Sequence, residues 1–135
     1  MTTVRYVNPP TLHANPAFTQ VVRVPAGYDT VYVGGQNGVG PDGAVVGPDV
    51  ASQTRRAMEN LRTCLEAAGA GFADVVHWRI FVVEGASIQE GYAASMDLIP
   101  RDVPPPAITV AVVAGLGVAG ALVEIEAVAA VPPGR

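Results

Sequence analysis

The sequence predicts an α+β domain, a mixed β-sheet with two helices on one of its faces, in the order β-β-β-α-β-α-β-β. Three observations lead there. The chain has 135 residues, half of them hydrophobic and 15% charged, which suffices for one core without disulfides or metals and is too little for two. Two stretches place apolar residues three and four apart, the period of an amphipathic helix. The others are short, rich in β-branched residues and bounded by Gly or Pro, as strands are.

Each element has its own local reason. Residues 1–16 are polar and contain Pro9, Pro10 and Pro16; Thr3–Val7 reads as a short strand and the rest as loop. Phe18–Val24 (FTQVVRV) reads as a strand, Pro25-Ala26-Gly27 turns the chain, and Asp29–Val33 (DTVYV) closes a hairpin with it. Glycines follow at 34, 35, 38, 40, 43 and 47. Gly38-Val39-Gly40 resembles the start of a dinucleotide-binding GxGxxG run, but Pro41-Asp42-Gly43 is a turn signal and no helix opens behind it, so a plain loop is predicted.

Residues 50–69 form the clearest helix. Asp49 is its N-cap and Gly69 its C′ residue. Val50, Thr54, Ala57, Met58, Leu61, Leu65 and Ala68 share one face. Arg55, Arg56, Glu59, Arg62 and Glu66 make a solvated face with Arg55–Glu59 and Arg62–Glu66 pairs. Cys64 is a small packed residue, with no histidine nearby in sequence to activate it. Asp74–Val83 is a long strand with Val76, Trp78, Ile80 and Val82 on one side and Val75, His77, Arg79 and Phe81 on the other. Ser87 caps a second helix reaching about Ile99, with Glu90 completing a capping box and Ile88, Gly91, Tyr92, Ser95, Met96 and Ile99 facing inward. Pro100 ends it. The Pro104–Pro106 run is a stiff lead-in to Ile108–Ala114, and Gly115–Gly120 connects to the last strand, Ala121–Ala130. Strands apolar on both sides need cover on the face the helices leave open, and self-association supplies it.

The composition narrows the function. All eight basic residues are Arg, so no Schiff-base or P-loop lysine exists, and the net charge of −4 disfavours nucleic acid as a partner. A single cysteine excludes an intramolecular disulfide framework, and His13 and His77 have no ligand spacing, so no metal is expected. The N-terminus lacks the apolar stretch of a signal peptide and no run of 18 apolar residues exists; a soluble, cytoplasmic protein without membrane contact is expected.

Glu124 and Glu126 interrupt the otherwise apolar last strand. Period two points both carboxylates to the same face. Buried there, each needs a partner or a raised pKa, and two like charges push one of them up. A carboxylate so held can position and deprotonate a water; equally, that face can meet solvent or an arginine of another subunit.

Four blocks then carry a resemblance: Gly34-Gly35-Gln36, the run from Gln53 to Leu61 (QTRRAMENL), Leu65-Glu66-Ala67-Ala68-Gly69-Ala70, and Leu122 to Ala129 (LVEIEAVA). In order and spacing, from about Phe18 to Ala130, they resemble the Rid family, also called YjgF or reactive intermediate deaminase and formerly "endoribonuclease L-PSP". The resemblance implies a chorismate-mutase-like fold, a homotrimer whose sheets form a central barrel, and three small-molecule clefts between subunits. It implies hydrolysis of enamines or imines such as 2-aminoacrylate, without metal or cofactor. Glu124 matches the water-activating glutamate, Gly35 the glycine beside the ligand, and Thr109 a cysteine or threonine lining the pocket.

The departures are as informative. Ala107 stands where the family has the arginine that binds the substrate carboxylate bidentately, a contact a methyl group cannot replace. Gly34 replaces a serine, Phe18 a tyrosine and Tyr92 an asparagine. Weak or no activity on 2-aminoacrylate-type imines follows, with Arg101 or Arg79 as candidate substitutes and a greasier cleft suited to a larger, less acidic ligand. The alternative is a non-catalytic trimer that binds a small metabolite or guards other proteins. A ribonuclease, as the older family label suggests, fits an acidic chain without Lys poorly.

Overall fold

The structure is a computed structural model and describes residues 3–135. In chain order the elements are β1 (Arg5–Val7), β2 (Val21–Arg23), β3 (Asp29–Gln36), α1 (Val50–Ala67), β4 (Val75–Val83), α2 (Ile88–Ser95), β5 (Ala107–Val113) and β6 (Val123–Val131), with a 3-10 turn at Phe72–Asp74. The main sheet runs β3-β6-β4-β5, and β1 and β2 form a separate ribbon. The β4–β5 pair is parallel and the other two pairs are antiparallel, so the sheet is mixed as expected.

The predicted hairpin between the Phe18–Val24 and Asp29–Val33 strands does not form. β2 pairs with β1, Val7 opposite Val21, while β3 pairs with β6. The reason lies at Thr19, which is almost fully buried. Its N–H donates to the Pro106 carbonyl (3.0 Å) and its hydroxyl to that of Pro105 (2.5 Å), so this stretch is tied to the proline run rather than to a neighbouring strand.

Helix α1 follows its sequence signals at both ends. Asp49 accepts from the Ser52 N–H at 2.9 Å and from the Ser52 hydroxyl, and these bonds hold its carboxyl below the usual carboxylate range. At the other end Gly69 adopts φ +76°, a conformation that favours glycine. There the Ala70 N–H reaches the Leu65 carbonyl (2.8 Å) and the Gly69 N–H reaches that of Glu66 (3.0 Å), closing the helix. Ala57, Met58, Leu61 and Leu65 pack on Val33, Ile125, Ala127 and Ala129 to form the core. Removing such a buried leucine typically costs 2–5 kcal/mol. Ala68, expected on this face, is exposed, and Gln53 is buried in the face instead. The expected Arg55–Glu59 and Arg62–Glu66 pairs are absent; Arg56 takes Glu59 at 3.6 Å, because its guanidinium is already anchored through Nε on the Val39 carbonyl.

Strand β4 corrects the predicted alternation at one residue. Val75 lies opposite Ala129 but His77 lies opposite Val128, so Val76 is an extra residue, a β-bulge. The bulge turns Val75 into the core, on the same side as Trp78, while His77, Arg79 and Phe81 stay on the other side. Helix α2 is shorter than predicted: it ends at Ser95, and residues 96–99 continue as turns. Ser87 caps it as expected, accepting from the Glu90 N–H at 3.1 Å. Its buried residues are the small ones, Gly91, Ala94 and Ser95, whereas Ile88 and Tyr92 are nearly half exposed. That burial pattern decides where space is left in the molecule.

Candidate functional site

Two places in the fold gather chemistry, one on each face of the sheet. The face away from the helices carries the carboxylates. Glu124 and Glu126 alternate with the buried Val123, Ile125 and Ala127, so both side chains emerge on the open side. Across from them in register stand Phe81 and Arg79 of β4.

The two acids have different partners. Arg79 Nη1 lies 2.7 Å from Glu126 Oε1, an ion pair that neutralises Glu126. Glu124 makes no ion pair among the described residues; Asn37 Nδ2 donates to its Oε1 at 3.3 Å. Asn37 is buried and its amide also donates to the Val123 carbonyl at 3.0 Å. Asn37 is fixed in turn by α1: Asn60 Nδ2 donates to the carbonyls of Asn37 (3.2 Å) and Val39 (2.9 Å), and Arg56 Nε to Val39 (3.1 Å). The helix therefore positions the loop, and the loop positions the carboxylate.

The glycines of this face differ in what they tolerate. A Cβ at Gly35 would come 2.7 Å from Glu124 Cδ and closer still to Oε2, so only glycine leaves the carboxylate where it stands. Gly34 has open space where a side chain would project. The result is an acid with one oxygen held by an amide, the other over a glycine, and no cation among the described residues paired with it. Such a group can accept a proton from a water.

The helix-side face contains a cavity of about 340 Å³ between α2, the Pro104–Pro106 run and strands β4 and β5. It exists because α2 buries only Gly91, Ala94 and Ser95, so space remains between that helix and Ile80 and Ile108 of the sheet, beside Trp78, which packs on Phe72. Thr54 of α1 lines it, and its Oγ1 is the one buried side-chain polar atom among the described residues without a hydrogen-bond partner. An unmet buried hydroxyl costs about 1–3 kcal/mol.

The residues singled out in the sequence separate accordingly. Gly34, Gly35 and Glu124 sit together on the open face. Thr109 is also on that face, opposite Arg79 in register, with its hydroxyl 3.3 Å from His77 Nε2; Ala107 precedes it by one period, opposite His77. Phe18 and Tyr92 line the helix-side cavity instead, as does Ile108. Within one chain the sheet thus lies between Phe18 and Tyr92 on one side and Glu124 on the other. Of the two candidate substitutes for the missing arginine, Arg79 is engaged by Glu126 and Arg101 lines the helix-side cavity. Among the described residues no cluster of three His, Cys, Asp or Glu suited to a metal exists, and no helix is long and apolar enough to cross a membrane.

Sequence reasoning missed Asn37, Gln53 and Asn60. Gln53 is fully buried in α1; its Nε2 donates to the carbonyls of Gly47 (2.8 Å) and Gly120 (3.1 Å), and its Oε1 accepts from the Leu122 N–H (2.7 Å). The signal of Gln53 and Asn60 was a polar residue on or beside the apolar face of α1, which burial turns into a bracket for loops; Asn37, in the loop after β3, carried no such signal.

Two helices on one face of a four-stranded mixed sheet, with a glycine-flanked glutamate on the other, define a YjgF-type α+β protein. The chain matches the family model described as "Endoribonuclease L-PSP" over residues 10–131 and belongs to that family, the Rid/YjgF proteins. A solved structure of the Rid-family protein YyfB of Yersinia pestis, described as of unknown function, superposes with a TM-score of 0.83 at 30% identity, covering 96% of this chain and 98% of that one. RidA from the Antarctic bacterium Psychrobacter sp. PAMC 21119 gives 0.67 at 27% identity over 87% and 90% of the two chains. A RutC family protein of Pyrococcus abyssi is 38% identical over 53 residues, 38% of this chain and 42% of that relative, so the chain matches less than half the length of that curated relative.

Proposed function

We propose that the chain is a hydrolase of imines or enamines that lack a carboxylate, acting as a homotrimer through clefts between subunits, without metal or cofactor. The observation that supports it is Glu124: a carboxylate with no ion pair among the described residues, held by Asn37 and flanked by Gly35, on the face of the sheet that a second subunit would cover. In the reaction Glu124 takes a proton from a water as its oxygen attacks the C=N carbon. The proton passes to the nitrogen, giving a carbinolamine; Glu124 then takes the carbinol O–H proton and hands it to the amine as the C=O forms and the C–N bond breaks, releasing ammonia and a carbonyl compound; an enamine first tautomerises to the imine. Thr109 lines the cleft, and Gly34 and Ala107, both small, leave it room for a bulkier substrate. Activity on 2-aminoacrylate-type imines is weak or absent, because no guanidinium stands at Ala107 to take a carboxylate.

The experiment is ammonia release from a panel of imines with and without a carboxylate, with Glu124→Gln beside the unaltered chain. The expected result is turnover of uncharged imines that the variant loses; equal rates in both proteins remove Glu124 from the mechanism. A second reading, a trimer that binds a metabolite without turning it over, draws on Ala107, since binding the usual acidic substrate is what that position has lost. Saturable binding in the clefts with no product would establish it.

A further inference from the structure

We infer, on the reading of the Glu124 face as the substrate site, that the imine enters as a cation: Glu124 and Phe81 together select the N-protonated form, and Phe81 is a specificity-determining residue. Strands β6, β4 and β5 lay one row of side chains across the open face, Glu124 opposite Phe81 and Phe81 opposite Ala111. Residues directly opposite in an antiparallel pair have Cβ atoms about 4.5–5.5 Å apart, so the acid and the ring are neighbours. Both are half-buried. The ring of Phe81 is not used for packing. Phe18 and Phe72 each meet another ring, that of His13 and that of Trp78, whereas Phe81 makes no ring contact among the described residues and stands outside the core. The side chain beyond it, Ala111, is a single methyl group.

The next row fixes the sign of the charge. Glu126 is neutralised by Arg79 at 2.7 Å, and Thr109, opposite Arg79, is neutral. Glu124 is therefore the uncompensated charge of the two rows, and it repels an anion and attracts a cation. Asn37 occupies its Oε1, while Gly35 leaves Oε2 uncrowded. A planar N–H cation bonded to Oε2 comes within about 6 Å of the Phe81 ring, whose face attracts positive charge. With the proton already on nitrogen, water attack gives the carbinolamine directly. The proton that Glu124 takes from the water goes to the amine, Glu124 collects the carbinol proton as the C–N bond breaks, and the products are a carbonyl compound and ammonium.

The probe is benzamidine, a planar C–N cation that stands in for a protonated imine, with benzamide as its neutral counterpart and benzoate as its anionic one. Each is titrated into the full chain, and backbone amide shifts in NMR spectra locate binding. Benzamidine is expected to shift Gly35, Phe81 and Glu124 and to bind roughly tenfold more tightly than benzamide, with benzoate weakest. Phe81→Leu keeps an apolar side chain without the ring face and is expected to lower the benzamidine-to-benzamide affinity ratio roughly three- to tenfold. Glu124→Gln is expected to abolish the preference. Should Phe81→Leu fail to fold, the three probes and Glu124→Gln still decide the charge selectivity. Absence of saturable benzamidine binding, equal affinities for the three probes, tighter binding of benzoate, shifts confined to other residues, or a ratio that Phe81→Leu leaves unchanged overturns it. Glu124-dependent imine turnover without a benzamidine preference removes the cation selectivity and leaves the hydrolase. A benzamidine preference that needs both residues, with no imine turned over, removes the hydrolase and leaves the cation site.

Discussion

Replacing Gln53 by leucine tests whether the buried amide brackets the fold. The swap keeps roughly the side chain's volume, one atom shorter, but removes three hydrogen bonds, to Gly47, Gly120 and Leu122, at 2.8, 3.1 and 2.7 Å. Each is worth about 1 kcal/mol net, and a buried group left unpaired costs up to about 3. The exposed Gly120 carbonyl turns to water at little cost, while Gly47 and Leu122 are only half exposed. The expected loss is therefore about 3 kcal/mol, close to 10 °C in melting temperature for a domain of this size. Urea unfolding followed by circular dichroism, at one protein concentration because association adds to stability, reads it as a lower midpoint with an unchanged slope. Thr54→Val, one residue along the same helix, is the matched control: it removes a buried hydroxyl that has no partner and is expected to stabilise the chain. A Gln53→Leu loss below about 1 kcal/mol, or equal behaviour of the two variants, refutes the reasoning that paired and unpaired buried polar groups have opposite signs here.

Other expectations are as direct. Gly35→Ala displaces the Glu124 carboxylate, whose flexible end can move, so stability changes by less than about 1 kcal/mol while imine hydrolysis is lost; thermal melts and ammonia release read the two separately. Asp49 has a lowered pKa from its bonds to Ser52, so its capping contribution is present above the ordinary carboxyl pKa and is lost as pH falls through the lowered value. Melting curves of the native chain and Asp49→Asn should then converge on acidification, and parallel curves would contradict the cap. Asn60→Ala releases the Asn37–Val39 loop from α1, removing two hydrogen bonds worth about 1–3 kcal/mol in all. Hydrogen exchange should rise at residues 37–46 before it rises in β6.

The fold was legible because its signals are periodic and local. Asp49, Gly69 and the apolar stripe of α1 delimit that helix almost to the residue, and the alternation of β6 places Glu124 and Glu126 together on one side. What escaped was non-local. The pairing of β2 with β1 depends on Thr19 meeting Pro105 and Pro106, 86 residues away for its hydroxyl bond. The early end of α2 has no Gly or Pro at Ser95 to announce it; the first proline stands at Pro100. At the sites the same division holds. Glu124 breaks an apolar pattern and is visible in one dimension, whereas Asn37 and Gln53 look like ordinary polar residues until the loops close on them. The cavity was invisible because it is made by what α2 lacks, and small residues at inward positions read as packing rather than as room.

The bulge at Val76 has a consequence for how this chain can change its length. Because one unpaired residue separates Val75 from His77, the segment entering β4 is out of phase with the rest of the strand. Deleting that residue would make Val75 and His77 neighbours, which point to opposite faces of a regular strand, so Val75 stays in the interior and His77–Val83 keep their register; deleting one residue within His77–Val83 would instead drive the residues beyond it to the wrong face. One residue can be lost at the bulge without exchanging the two faces, whereas a single insertion or deletion in the paired stretch His77–Val83 exchanges them.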